Sequence, residues 1–520
     1  MSLETKITFN SNGINWAPKS GEETGDFLGQ SGMPDEAKNK LLEDAISILS
    51  RGVPPQVENG FETGLVVGYV QSGKTMSFET VAALARDNGF HIVIVIAGTS
   101  NPLLAQSSNR LKKDLGLNDV NRGRRWVQLE NPTSLDSDGQ MIRNTLSISK
   151  DSSTDAIYKK TILITVLKNH TRIKKLAEIF EALDLNGTSV LIIDDEADQV
   201  SLNTEASQGE ESATYSCLIR LRNALPNHTY LQYTATPQAP LLINIIDSLS
   251  PNFVKVLEPG DAYIGGRDFF DRNSSYIKLI PSNEVPTKDN PLTYPPSSLL
   301  DALRIFMLGV AVGIKESGNT GNRSMLVHPS HLTAQHKEFY GWVRSIFDEW
   351  QTCLALPDSD LDKIDLLNEF RKSYNHLKET TCLPPFEQVA NSFGIAFKST
   401  QIVEVNSRKN KTPAIDWQHN YGWILVGGIA VDRGFTVEGL TVTYMPRGVG
   451  VGNADTIQQR ARFFGYKKNY LGFCRVYLEQ STLEAFRNYV THEEDIRKQL
   501  KIVELQNKPI NSWKRGFLLD

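Results

Sequence analysis

The stretch Gly68-Tyr69-Val70-Gln71-Ser72-Gly73-Lys74-Thr75 follows the apolar run Leu65–Val67 and precedes residues with helical spacing. It reads as a phosphate-binding loop, the GxxxxGKT pattern set between a strand and a helix. Gly68 and Gly73 let the backbone turn tightly and aim N–H groups at phosphate oxygens, and Gln71 and Ser72 complete that cradle. Lys74 supplies a positive charge for the β- and γ-phosphates, and the Thr75 hydroxyl is placed to hold Mg2+. The cofactors to expect are ATP and Mg2+.

Outward from this loop, short β-rich runs alternate with helical ones: Leu65–Val67, His91–Ala97, Thr161–Val166, Val190–Ile193 and Thr229–Thr234. Strands alternating with helices predict a parallel sheet covered on both faces. The run Val190–Ile193 ends in Asp194-Asp195-Glu196-Ala197-Asp198. Burying so many carboxylates without a cation is costly. The strand end is therefore expected to face the nucleotide site, with Asp195 ordering Mg2+ and Glu196 accepting a proton from the attacking water. The strands leading into Gly68 and Asp194 are expected to lie side by side. The next apolar run ends in Tyr233-Thr234-Ala235-Thr236-Pro237.

Between Pro281 and Pro296 the sequence PSNEVPTKDNPLTYPP is rich in proline and poor in large apolar groups, as extended linkers are. Strand-like runs resume at Ser324–His328, Gln401–Val405, Trp423–Val426, Leu440–Met445 and Phe473–Leu478. The organisation expected is a lead-in over 1–60 with an amphipathic helix at Glu36–Leu49, a first α/β domain over 61–280, a linker over 281–298 and a second α/β domain over 299–520. A helical insertion at about 335–398 interrupts the second domain. Asp432-Arg433-Gly434 and Gln459-Arg460-Ala461-Arg462 lie in this second half. An arginine delivered from a neighbouring domain neutralises charge growing on a transferred γ-phosphoryl group.

Composition excludes several classes. Lys+Arg number 55 against 60 Asp+Glu, a net charge of −5, so there is no global electrostatic footprint for nucleic acid or an anionic membrane. Cys217, Cys353, Cys382 and Cys474 form no CxxC pair, which argues against a disulfide scaffold or a zinc module. The N-terminus has no apolar targeting core, and the longest apolar run, about Ile305 to Ile314, is roughly half of the ~20 residues that span a bilayer. A soluble, cytoplasmic protein with no membrane partner is the expectation.

Thr-Ala-Thr after Asp-Glu-Ala-Asp, followed by an Arg-Gly motif and a Gln/Arg-rich motif, resembles the superfamily 2 helicase engine of two tandem RecA-like domains. More narrowly, VVGYVQSGKT, VIAGTSNPLLAQ, IIDDEADQVSLNT, YTATPQAPL, VGGIAVDRGFTVEGLTVTYM and DTIQQRARFFGYKKNY resemble the Z-one domain family. Its members often carry an endonuclease label and are helicase-like ATPases of prokaryotic restriction and phage-defence gene neighbourhoods. The resemblance implies nucleotide roles for Lys74 and Thr75, metal and base roles for Asp195 and Glu196, and coupling of ATP state to domain movement by Thr234 and Thr236. It places Asp432, Gly434 and Gln459 among the coupling residues, Arg433 and Arg460 beside the nucleotide, and Arg462 as the catalytic arginine of the last motif. Ala461 stands where the family has Gly, and Lys467 where it often has Arg, which leaves Arg460 as a spare candidate. No upstream glutamine motif for reading adenine is present.

An endonuclease would need its own carboxylate cluster, apart from the ATP site. Glu404 near Arg408 and Lys409, and Asp261, Asp268 and Asp271 around Gly265, are the nearest approaches, and neither is a complete nuclease motif. Glu404 reads instead as a strand-end residue and the aspartates as a solvated loop. His328 reads as closing a strand, and His331 and His336 lack helical zinc spacing. Arg110, Lys112 and Lys113 read as a solvated helix face, with phosphate-backbone contact as the alternative. Two functions follow: an ATP-driven nucleic-acid translocase, with DNA as the favoured track, and an ATP-gated switch that recruits a partner nuclease of a defence system.

Overall fold

The computed structural model describes every residue except 1–7, 11–12, 199–211, 243–248, 273, 288–289, 318–320, 331, 406–414, 429–436, 447–461, 511–512 and 514–520. The chain divides into two units, residues 1–260 with 495–520, and residues 261–494. Each is built on one parallel sheet, the two tandem RecA-like α/β units expected from the sequence.

The first sheet has seven strands in the order Trp126–Glu130, Thr161–Val166, Ile92–Ile96, Ser189–Asp195, Asn227–Thr234, Gly60–Val67 and Phe253–Val256. All six pairings are parallel. Side chains alternate between its faces. Ile92, Ile94 and Ile96 enter one core with Ile162, Ile164, Val190 and Ile192. Val93 and Val95 enter the other with Val66, Leu163, Leu191 and Phe78. Near-continuous apolar strands are the consequence of burial on both sides.

One expectation is corrected here. The strands ending at Gly68 and Asp194 are not neighbours, because Asn227–Thr234 runs between them, paired to both. The residues Thr234-Ala235-Thr236 thereby stand between the phosphate loop and the acids.

The helix Asp35–Leu49 and a second lead-in helix, Glu22–Gln30, pack on the phosphate-loop helix Lys74–Asp87 through Phe27, Ala45, Ile48, Phe78 and Val81. Asp87 caps the start of Glu22–Gln30, accepting the N–H groups of Glu23 at 3.0 Å and Thr24 at 2.9 Å. The last residues also return to this unit: Ile496, Leu500, Val503 and Ile510 cover Leu65, Val67, Val254 and Val256.

The second sheet runs Ile277–Leu279, Arg475–Leu478, Leu440–Met445, Arg323–Val327, Gly422–Gly427 and Thr400–Val405, again all parallel. Ile277–Leu279 pairs with Arg475–Leu478, so the chain joins the second sheet before the proline-rich stretch 281–298. The unit division accordingly falls at Gly260/Asp261. The helix Ser297–Ser317 is apolar and long enough to cross a membrane, but Leu303, Phe306, Met307 and Val310 on it are buried in the core of this unit. The helices Thr333–Leu354, Leu361–Lys378, Phe386–Ala390 and Phe393–Lys398 share that core through Phe339, Phe370, Phe386 and Phe393.

Candidate functional site

Three strand ends of the first sheet meet at one edge. The phosphate loop follows Gly60–Val67 and closes on Gly73, whose φ of +88° is left-handed, the conformation that glycine adopts without strain. A Cβ at Gly68 would stand 2.4 Å from Cγ of Lys74, so only glycine lets the lysine fold back over the loop. Within the loop the Ser72 hydroxyl donates to the Tyr69 carbonyl at 2.9 Å, and Lys74 Nζ donates to the same oxygen at 3.1 Å. Thr75 follows as the second residue of the helix.

The acid strand ends at Asp195, and Glu196 turns the chain with a φ of 52°. Gln71 in the phosphate loop has a φ of 54°. Left-handed conformations of non-glycine residues cost of order 1–3 kcal/mol and persist where the surroundings over-determine them, as they do at functional sites. The Ala197 N–H donates to the Tyr233 carbonyl at 2.9 Å, and the Thr234 hydroxyl donates to Asp198 Oδ1 at 2.6 Å. The Thr234 carbonyl accepts the Gly68 N–H at 2.9 Å. Thr234 is thus bonded to both loops at once. Its Oγ1 also accepts the Thr236 N–H at 2.8 Å, fixing the turn that follows.

Burial, with the Glu196 carboxylate beside it, pushes the Asp195 carboxyl up to about 6, against the pull of Lys74 and Lys168. Burial lowers the Lys74 ammonium below its ordinary value, opposed by Asp195, Glu196 and Asp198 and reinforced by Arg497. A dication beside Asp195 would reverse its shift. One carboxylate and one hydroxyl are what Mg2+ takes from a protein when phosphates and waters complete its octahedron. Asp195 and Thr75 fit that donor set, and the loop around Gly68 and Gly73 fits a triphosphate.

Two residues at this edge have no motif to announce them. Lys168 lies two residues beyond the strand Thr161–Val166; its Nζ is 2.6 Å from Asp194 Oδ1 and donates to the carbonyls of Asp195 and Glu196. Its position just past the C-terminal end of a parallel strand is the signal that could have found it. Arg497, from the returning C-terminal segment, stacks its guanidinium 4.0 Å from the centroid of the Tyr69 ring and donates to the Ala235 carbonyl at 3.0 Å. No local pattern marks it.

The other sequence candidates divide as follows. Arg462 is half-buried in the second unit. Asp432, Arg433, Gly434, Gln459 and Arg460 lie outside the described residues, as do Arg408 and Lys409. Lys467 turns inward, donates to the Leu440 carbonyl and is lowered by burial to about 8, so it does not stand in for a catalytic arginine. Glu404 lies in the strand Thr400–Val405, and Asp268 Oδ2 accepts the Gly265 N–H at 2.8 Å as a helix cap. His328 is buried directly after the strand Arg323–Val327, and His336 bonds the Ser330 carbonyl through Nε2 at 2.8 Å. Among the described residues no group of three or more His, Cys, Asp or Glu side chains gathers as a metal centre.

The family model of the Z1 domain matches residues 298–514. Among curated proteins none matches the sequence. The fold is similar to S. cerevisiae Dbp5 bound to RNA and ADP BeF3, at 12% identity and a TM-score of 0.41 over 93% of this chain and 100% of that one. It is similar to the DEAD-box helicase Mss116 bound to ssRNA and UDP-BeF, at 13% identity and a TM-score of 0.40 over 89% of this chain and 75% of that one. The Pyrococcus furiosus Hef helicase domain is similar at 11% identity and a TM-score of 0.37, over 87% and 98%. The fold assignment stands on strand order and register.

Proposed function

From a chain that carries a Z1 domain over 298–514 behind a complete phosphate-loop unit, we propose an ATP hydrolase that couples nucleotide turnover to movement on nucleic acid, with DNA the favoured track and restriction or phage defence the setting. The observation that carries this reading is Thr234, bonded through its carbonyl to Gly68 and through its hydroxyl to Asp198. A shift of the phosphate loop on gain or loss of a γ-phosphate passes through this one residue to the acidic turn.

In this reading Lys74 leaves the Tyr69 carbonyl for the β- and γ-phosphate oxygens, and the loop N–H groups hold the chain of phosphates in line. Thr75 and Asp195 would hold Mg2+, which would supply positive charge against the phosphates. Glu196 orients a water and takes its proton as the water oxygen bonds the γ-phosphorus and the bond to the β–γ bridging oxygen breaks. ADP and inorganic phosphate leave. Arg462, with Arg433 and Arg460, is the second unit's candidate for stabilising that transition state.

The test is steady-state ATP hydrolysis with and without single- and double-stranded DNA and RNA. Glu196→Gln is expected to lower kcat by roughly 10²–10⁴-fold while nucleotide still binds, and Lys74→Ala to lose binding as well. Stimulation by one nucleic acid names the track. Hydrolysis indifferent to all of them, which the net charge of −5 allows, moves the reading to an ATP-gated switch acting on a protein partner.

A further inference from the structure

Of the acids in the Asp-Asp-Glu-Ala-Asp run, Asp195 and Glu196 serve the reaction and Asp198 holds Thr234, which leaves Asp194 without a role. It lies one residue before Asp195 on the acid strand and so faces the opposite side of the sheet. Both of its oxygens are engaged: Oδ1 with Lys168 Nζ at 2.6 Å, and Oδ2 with the Tyr230 hydroxyl, which donates at 2.5 Å. Asp194 and Tyr230 are fully buried, and the Lys168 side chain is 1% exposed. An ammonium has three donors. Lys168 donates two of them to the carbonyls of Asp195 and Glu196, the latter at 2.9 Å, and its positive charge is ion-paired with Asp194. Its own N–H is tied to the Gly98 carbonyl at 3.0 Å, so the stem of the side chain starts from a fixed point.

Those two carbonyls belong to the peptide groups on either side of the Glu196 Cα. Holding both fixes the φ and ψ of Glu196, and with them the direction of its Cα–Cβ bond. The residue so fixed is in the left-handed conformation, with a φ of 52°, which glutamate does not adopt without constraint. The Asp195 carboxylate is held in the same turn, accepting the Glu196 N–H at 3.0 Å.

We propose that Lys168, anchored by Asp194 and Tyr230 beneath the acidic turn, is a positioning residue that aims Glu196 at the attacking water. The proposal rests on the ATPase reading and names a part of the same machinery. Asp194 and Tyr230 serve to hold the ammonium in place inside the protein, where a lone charge would be expelled.

The experiment uses the full-length protein and the double variant Lys168→Met/Asp194→Asn, which removes the donors and leaves no unpaired buried charge. The variant is expected to melt near wild type and to bind ATP within about twofold, while kcat falls by on the order of 100-fold, the scale of a catalytic group displaced by about an ångström. Amide hydrogen exchange in the peptide spanning residues 194–198 is expected to speed up. Lys168→Gln/Asp194→Asn, which restores one or two N–H donors, is expected to recover part of kcat, and it takes over as the main variant if the methionine form does not fold. Wild-type kcat and unchanged exchange in either folded double variant overturn the proposal, since Lys168 would then only neutralise Asp194. If wild-type protein itself hydrolyses no ATP, the ATPase reading falls and this proposal with it. Turnover that is lost in Glu196→Gln but intact in the Lys168 variants defeats this proposal alone.

Discussion

Gly68 is set by a neighbour six positions on: the space its missing Cβ leaves is filled by the Lys74 stem. Gly68→Ala is therefore expected to push Lys74 off the loop, lowering nucleotide affinity by at least about tenfold, or ~1.4 kcal/mol, in a binding titration with little loss of melting temperature. Glu79, one turn beyond Thr75, has no exposed surface, and the Arg110 guanidinium is 3.5 Å away. Burial outweighs that arginine and pushes the carboxyl up to about 8. Between the ordinary glutamate value and 8 the folded protein holds a proton that the unfolded chain has released, so stability falls as pH rises through this window. Glu79→Gln is expected to match wild type near pH 5 and to melt several degrees higher at pH 8, a difference read by thermal denaturation at both pH values.

The helix Asp35–Leu49, the strand Phe253–Val256 and the C-terminal helix Gln480–Leu505 meet through a buried ion cluster. Lys255 Nζ is 3.0 Å from both Asp44 Oδ1 and Glu504 Oε1, with all three side chains under a tenth exposed. Lys255→Met leaves Asp44 to Lys40 and Glu504 to Lys501, both more exposed than Lys255, and is expected to cost about 1–3 kcal/mol in denaturant unfolding. An unchanged midpoint would mean that water reaches the cluster. The same lysine explains why this strand escapes a pattern reading. Phe-Val-Lys-Val carries a charge where a buried strand should be apolar, and the partners that neutralise it lie 211 residues before it and 249 after it. Trp126–Glu130 is a sheet edge with a mixed pattern, and Ile277–Leu279 has three residues, too few for periodicity to show. Nine of the ten strands that were legible are interior, such as Ile92–Ile96 and Leu440–Met445, and the tenth, Thr400–Val405, is an edge strand whose β-branched Thr400, Ile402, Val403 and Val405 mark it. At the candidate site, Gly73-Lys74-Thr75 and Asp195-Glu196 stand out in the sequence because their residues are contiguous there. Lys168 and Arg497 do not, because what defines them is a carbonyl or a ring supplied by a distant segment.

At the scale of the molecule, each unit encloses its own apolar core, the second around the helix Ser297–Ser317 and the first on both faces of its seven-stranded sheet. Calorimetric unfolding is therefore expected to depart from a single two-state transition. Leu500, fully buried against the first sheet's edge, gives the assignment: Leu500→Ala is expected to cost the first unit about 2–5 kcal/mol, each kcal/mol lowering its transition by roughly 2–4 °C. A shift confined to the transition that lacks nucleotide dependence would contradict the packing. The return of residues 495–520 to the first unit has a further consequence during synthesis. A ribosome adding about 5–20 residues per second makes the first unit's sheet early, then spends roughly 10–50 s on residues 261–494 before the covering segment emerges. Throughout that interval Leu65, Val67, Val254 and Val256 lack their cover, and Tyr69 lacks Arg497. The nascent chain thus carries an uncovered apolar patch beside the phosphate loop until the segment after Glu494 has been made, so the first unit matures only after the second.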